Sequence, residues 1–167
     1  LDARYRVVTE GTSDGTQDKY YKDGMWYKVD RYGQEGHNEA LVSKLLSCTD
    51  ITGYVKYEEI IINGRKGCCS ANFLKENEEY VSIYRLPANS VGTDIARVLM
   101  YMDYDDQVDY VKRFVERETA INAGEVMAEL FWLDGIILND DRHFNNIGFI
   151  FNGDSFRPAP IFDNGKS

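Results

Sequence analysis

Asn139-Asp140-Asp141-Arg142-His143-Phe144-Asn145-Asn146 packs two Asp, three Asn, one Arg and one His into eight residues. Asp and Asn are frequent in turns because their short side chains bond the local backbone and tolerate unusual dihedrals. A solvated loop accounts for one or two of them. It accounts poorly for the whole set, lodged between an apolar helical stretch and an apolar strand. Further on comes Asp163-Asn164-Gly165, a third carboxylate followed by a turn signal.

Phosphoryl transfer calls for such a set. One carboxylate orients or accepts the proton of an attacking hydroxyl, while an amide oxygen and a second carboxylate hold Mg²⁺ on nucleotide phosphates. Mg²⁺ is hard and takes oxygen ligands, so Asp and Asn suit it better than His or Cys. In kinase catalytic loops an Asn follows the Asp by about five positions, and the metal-binding Asp comes later, before a Gly. Asp141 and Asn146 have that spacing, and Asp163 has that context. Asp140 and Asn145 share the spacing, so spacing alone leaves the register open.

Upstream, Val126, Leu130, Leu133 and Ile137 recur at helical intervals from about Asn122. Asp105-Asp106 is expected to cap another helix, with Val108, Val111 and Val115 inward, and Thr93-Asp94 a short one through Met102. Downstream, the apolar runs 147–151 and 159–162 flank Asn152-Gly153. Residues 1–90 read mostly as strands. Asp23-Gly24 and Asn63-Gly64 each mark a tight hairpin, and Tyr80–Leu86 reads as one more strand. A helix is expected near Asn38–Ser47, capped by Asn38, with Leu41, Val42, Leu45 and Leu46 on one face.

The chain has 167 residues with a net charge of −9. This size suits one domain, or two small lobes around a ligand cleft. The acidic balance counts against nucleic-acid binding, and no apolar run is long enough for a membrane helix. Leu1-Asp2-Ala3-Arg4 is charged and does not read as a secretory signal. Cys48, Cys68 and Cys69 are odd in number, so a disulfide framework is not expected. They read as small core residues of a protein in a reducing, cytoplasmic compartment.

Asp141-Arg142-His143-Phe144-Asn145-Asn146 resembles the D-x-H-x-x-N loop of HipA-like kinases, and is similar to the D-R-H-x-x-N loop of phosphatidylinositol kinases. Asn72-Phe73-Leu74 and Tyr84-Arg85-Leu86 are similar to softer segments of the small bacterial HipA-like group. The resemblance implies an α+β, two-lobed kinase-like fold, with a β-rich N-lobe over 1–88 and a helical C-lobe with the catalytic loop over 89–167. It selects Asp141 as catalytic base, with Asn146 and Asp163 as metal ligands and ATP and Mg²⁺ as cofactors. Asp163-Asn164-Gly165 takes the place of the D-F-G element. Arg142 then pairs with a phosphate or an acidic loop neighbour, and His143 orients the loop by hydrogen bonds.

A kinase of this type needs a strand lysine near the α/β-phosphates and a helical Glu to position it. Lys28 and Glu39 are the expected pair, with Lys19 and Glu35 as substitutes. The resemblance also places a phosphate loop at Gly11-Thr12-Ser13-Asp14-Gly15-Thr16, and the adenine-reading hinge within Asn72–Pro87. The loop is not G-x-G-x-x-G, and Asp14 would repel phosphate. Kinases of this fold continue beyond the metal triplet with an activation segment and more helices, so the C-lobe reads as truncated, as completed by another chain, or as a natural minimal or degenerate form. The resemblance implies Ser/Thr protein kinase activity, a protein substrate and an antitoxin-like or lobe-completing partner. A pseudokinase or interaction module and a small-molecule or lipid-headgroup kinase are the alternatives. A two-metal nuclease built on Asp140, Asp141 and Asp163 fits least.

Overall fold

The computed structural model describes residues 1–7, 17–86 and 95–166. They form two compact units, one from Leu1–Phe73 with Pro160–Ser167, the other from Leu74–Ala159. Described residues 74–86 therefore belong with the second unit, and 160–166 with the first.

The first unit is a five-stranded antiparallel sheet in the order β1-β2-β3-β5-β4. Its strands are β1 (Arg6–Val7), β2 (Lys19–Lys22), β3 (Met25–Val29), β4 (Glu58–Ile62) and β5 (Arg65–Ala71). Both expected hairpins form. Asp23 and Gly24 have φ of 51° and 77°, and Asn63 and Gly64 have 51° and 81°, the left-handed pairs that match strand twist. Tyr21 and Trp26 are cross-strand partners with ring centroids 4.9 Å apart and pack on each other across the sheet.

Helix α1 (Glu35–Leu46) packs on β4 and β5. It begins earlier than expected and Asn38 does not cap it. The Glu35 carboxylate instead accepts the backbone N–H groups of Arg31, Tyr32, Gly33 and Gln34. These bonds hold the carboxyl below its ordinary value, against burial that pushes it up. The expected apolar face also splits. Val42 and Leu46 are buried, while Leu41 and Leu45 are exposed, because the inward face is completed by Glu39, Ala40 and Ser43. Cys68 and Cys69 are buried, but Cys48 is exposed just past the end of α1. Under α1, Val55, Tyr57 and Cys68 form a core with Phe73 and Phe162 packed against it. The final segment is tied in by Val55 N–H to the Ile161 carbonyl at 2.9 Å, and Ile161 N–H to the Gly53 carbonyl at 2.7 Å.

The second unit has a three-stranded antiparallel sheet of β6 (Glu79–Ser82), β7 (Gly148–Phe151) and β8 (Phe156–Pro158). Its helices are α2 (Ile95–Leu99), α3 (Tyr104–Thr119) and α4 (Ala123–Ile137). The strand expected over Tyr80–Leu86 ends at Ser82, beyond which the chain turns. The cap of α3 is Asp103, whose carboxylate accepts the Asp106 N–H, so Asp105 and Asp106 lie inside the first turn. Their charges there face the positive end of the helix dipole. Thr93-Asp94 lies outside the described residues. Asn122 caps α4, accepting from Gly124 and Glu125. Leu130 and Leu133 are buried in the core with Phe149 and Ile150, whereas Phe131, Trp132 and Ile136 on the other side of α4 are exposed.

Candidate active site

In the first unit, β3 carries Lys28 inward with only 8% of its surface exposed. Its Nζ donates to Glu39 Oε1 at 2.6 Å and to Asp163 Oδ1 at 2.8 Å. The Tyr57 ring lies beneath, its centroid 5.0 Å from Nζ. Burial opposes the charge on Lys28, but the Asp163 and Glu39 carboxylates outweigh it and hold the ammonium well above the ordinary lysine value. Tyr57 is pushed the other way from ionisation, first by burial and then by the Glu39 charge. The expected pairing of Lys28 with Glu39 is thus present, joined by Asp163.

Glu39 has a second task. Its Oε2 accepts the backbone N–H of Asn164 at 2.9 Å. The neighbouring Asn38 donates Nδ2 to the Gly165 carbonyl at 3.1 Å. Gly165 sits so close to the first turn of α1 that an added Cβ would lie 3.2 Å from the Glu35 carbonyl oxygen. Two consecutive helix residues therefore grip the Asp163-Asn164-Gly165 triplet. Asp163 itself adopts φ of 62°, in the left-handed region that a non-glycine residue visits when surrounding contacts determine it. The substitute residues take other places. Glu35 is consumed by its backbone bonds, and Lys19 stands opposite Lys28 in the β2–β3 register.

In the second unit, α4 ends at Leu138 in the left-handed conformation and releases the chain into the polar loop. Asp134, one turn back on α4, organises that loop. Arg142 donates Nε to Asp134 Oδ2 at 2.9 Å and Nη2 to Asp134 Oδ1 at 2.8 Å, a two-pronged and buried pair. Asn139 donates Nδ2 to Asp134 Oδ1 at 3.0 Å, and its Oδ1 accepts the Asp141 backbone N–H at 3.2 Å. Arg142 thus pairs with a helix residue, Asp134. His143 is exposed and contributes its carbonyl, which accepts the Asn146 N–H at 2.8 Å. The far side of the loop is tied to the β6 end by Tyr84 N–H to Phe144 and Ile83 N–H to Ile147.

The two registers left open by spacing differ in burial. Asp140 and Asn145 are both exposed, whereas Asp141 is half-buried and Asn146 is 9% exposed. Among the described residues, no three His, Cys, Asp or Glu side chains gather to hold a metal. Asn146 carries an amide oxygen and Asp163 a carboxylate, each by itself a hard oxygen ligand of the kind Mg²⁺ accepts. The phosphate-loop candidates Gly11, Thr12, Ser13, Gly15 and Thr16 lie outside the described residues.

Sequence reasoning missed Asp134, Tyr57 and the use of Asn38. The signal for Asp134 was present: an Asp near the end of an otherwise apolar helix meets an unfavourable dipole unless something pairs with it. Nothing local marks Tyr57 or Asn38, whose partners are distant in sequence.

The geometry defines an α+β, kinase-like fold, and two solved structures share it. The Helicobacter pylori proinflammatory kinase CtkA matches with a TM-score of 0.69 at 16% identity, over 93% of this chain and 54% of that one. HipA from the Shewanella oneidensis MR-1 toxin–antitoxin system, solved with HipB and operator DNA, matches with a TM-score of 0.61 at 14% identity, over 98% of this chain and 45% of that one. The chain spans about half the length of each. No family model and no curated protein matches it. The HipA-like resemblance read from the catalytic-loop residues thus holds at the level of fold.

Proposed function

We propose that the chain is an ATP- and Mg²⁺-dependent phosphotransferase of the HipA-like kind, passing the γ-phosphoryl group to a Ser or Thr hydroxyl of a protein. The observation that carries this reading is the buried Lys28, held at once by Glu39 and Asp163. Lys28 and Glu39 are buried charges, and burying charge is costly unless it is paired and hydrogen-bonded, as it is here. A strand lysine fixed by a helical glutamate is the device by which kinases present a cation to the α/β-phosphates.

The roles follow from the residue chemistry. Lys28 binds phosphate oxygens, and Glu39 keeps its ammonium from swinging away. Asp163 and Asn146 would hold Mg²⁺, which neutralises charge on the transferring phosphates when bound. Asp141 orients the acceptor hydroxyl and takes its proton as the oxygen attacks the γ-phosphorus, with ADP as leaving group. Arg142 and Asn139 hold the loop rather than the substrate. HipA occurs with HipB in its solved complex. An antitoxin-like partner and a cytoplasmic setting are part of the same proposal. No described helix is long and apolar enough to cross a membrane.

Calorimetry with ATP, with and without Mg²⁺, tests the reading on the wild-type chain and Asp163→Ala. Mg²⁺-dependent binding that is lost in Asp163→Ala supports it, and transfer of labelled γ-phosphate to protein Ser or Thr completes it. Binding without any turnover, to protein or small-molecule acceptors, would leave a nucleotide-binding pseudokinase instead. A folded wild-type chain that binds no nucleotide would overturn the reading.

A further inference from the structure

Lys19 and Lys28 are directly opposed in the β2–β3 ladder. Opposed residues of antiparallel strands project from the same face, and two like charges there repel. Lys28 answers its charge with Glu39 and Asp163. Among the described residues no carboxylate lies in ion-pair contact with Lys19, and Asp163 and Glu39 reach it only through their longer-range field. Lys19 is nevertheless half-buried. Burial pulls its ammonium below the ordinary lysine value, Asp163 pulls it back up, and the Lys28 charge lowers it again. A lysine free to seek water would extend its head away from such a place.

We propose that Lys19 is a second phosphate-binding lysine, set beside Lys28 to receive the phosphate chain of a nucleoside triphosphate. The inference rests on the nucleotide reading above and names the residue that selects a polyphosphate over a monophosphate. The charge balance supports it. Lys28, Glu39 and Asp163 together carry a net charge of −1, which would repel a polyanion, and Lys19 brings the group to neutrality. A compact ammonium is well suited to contact phosphate as a point charge.

Lys19→Met keeps the length of the stem and removes the charge. Calorimetry with ATP, AMP and inorganic tripolyphosphate, together with melting of the unliganded protein, makes the test. The expected result is affinity for ATP and tripolyphosphate about ten-fold weaker in Lys19→Met. AMP affinity should stay unchanged, the unliganded protein should melt no lower than wild type, and Lys19→Arg should restore much of the affinity. Wild-type affinity for both polyphosphates in Lys19→Met would overturn the proposal, as would a lowered melting temperature with affinity for all three ligands reduced alike. If wild type binds tripolyphosphate through Lys19 but not ATP, the lysine site stands and the kinase reading falls. If wild type binds neither, both fall.

Discussion

Glu39 and Asn164 are joined by a 2.9 Å hydrogen bond from the Asn164 backbone N–H to Glu39 Oε2, while the other oxygen of that carboxylate holds Lys28 at 2.6 Å. One buried side chain thus links a strand, a helix and a distant return segment. Its surroundings are specified by charge rather than by packing alone, and most of what can be tested follows from that.

Glu39→Gln preserves shape and removes the charge that faces Lys28. Breaking one partner of a buried pair leaves the other uncompensated, so the variant should lose about 3 kcal/mol of unfolding free energy. Urea denaturation measures it. Unchanged stability would mean that Asp163 alone satisfies Lys28.

Arg142→Ala removes the guanidinium that clasps Asp134 in a pair exposed only 5% and 10%. The stranded carboxylate should again cost about 3 kcal/mol. Arg142→Lys should recover only part of this, since an ammonium cannot reproduce the planar fork. Full recovery by lysine would show that charge and not geometry matters there.

Asp141→Asn tests the catalytic loop. On the proposed roles it should slow phosphoryl transfer by about 10²–10⁴-fold while leaving ATP affinity near wild type, because the proposal assigns proton handling and nucleotide binding to different residues. Comparable loss of binding and of turnover would count against Asp141 as the base.

Gly67→Ala probes the strand next to Lys28. An added Cβ at Gly67 would collide with the Lys28 carbonyl, and Gly36 already packs against the Gly67 backbone. Backbone cannot yield as a flexible side chain can. The variant should lose about 1–3 kcal/mol and weaken ATP binding in parallel. A Gly67→Ala protein with both properties intact would show that the sheet has slack at this point.

Alkaline stability should fall in two stages. Cys68 is pushed up to about 12 by burial from an ordinary 9.0, so its stabilising contribution is complete below pH 9.0 and fades as pH rises through about 12. Lys28 is also raised, from 10.5, so its contribution is complete below pH 10.5 and fades above it. Urea midpoints across this range should decline from about pH 9, and Cys68→Ala should remove the earlier part. A flat profile in wild type would contradict both the burial of Cys68 and the carboxylate pairing of Lys28.

Much of this was legible because the signals are local. Asp23-Gly24 and Asn63-Gly64 demand positive φ, Asn122 precedes an apolar period, and the Asp141–Asn146 string is contiguous. Lys28 with Glu39 was readable because strand and following helix are close in sequence. The misses share a different cause. Asn38 resembles a cap, but Glu35 satisfies the helix start first, which frees Asn38 for a carbonyl far along the chain. Leu41 and Leu45 follow the right period, yet the inward face of α1 is taken by Glu39 because its partners arrive from β3 and from the return segment. Arg142 reaches a carboxylate outside its own loop, Asp134 back on α4.

The Lys28–Asp163 contact spans 135 positions of sequence. During synthesis, the sheet and α1 emerge long before the residues that complete their charge balance. Until the polypeptide has grown through the whole second unit, Lys28 has Glu39 alone, and Glu39 has an oxygen with no backbone amide from Asn164. Closing so long a loop adds entropy cost and slows the last step of assembly. The first unit should therefore leave the ribosome as a loose, protease-sensitive intermediate, and its tightening should coincide with the arrival of Asp163 and not with completion of its own strands.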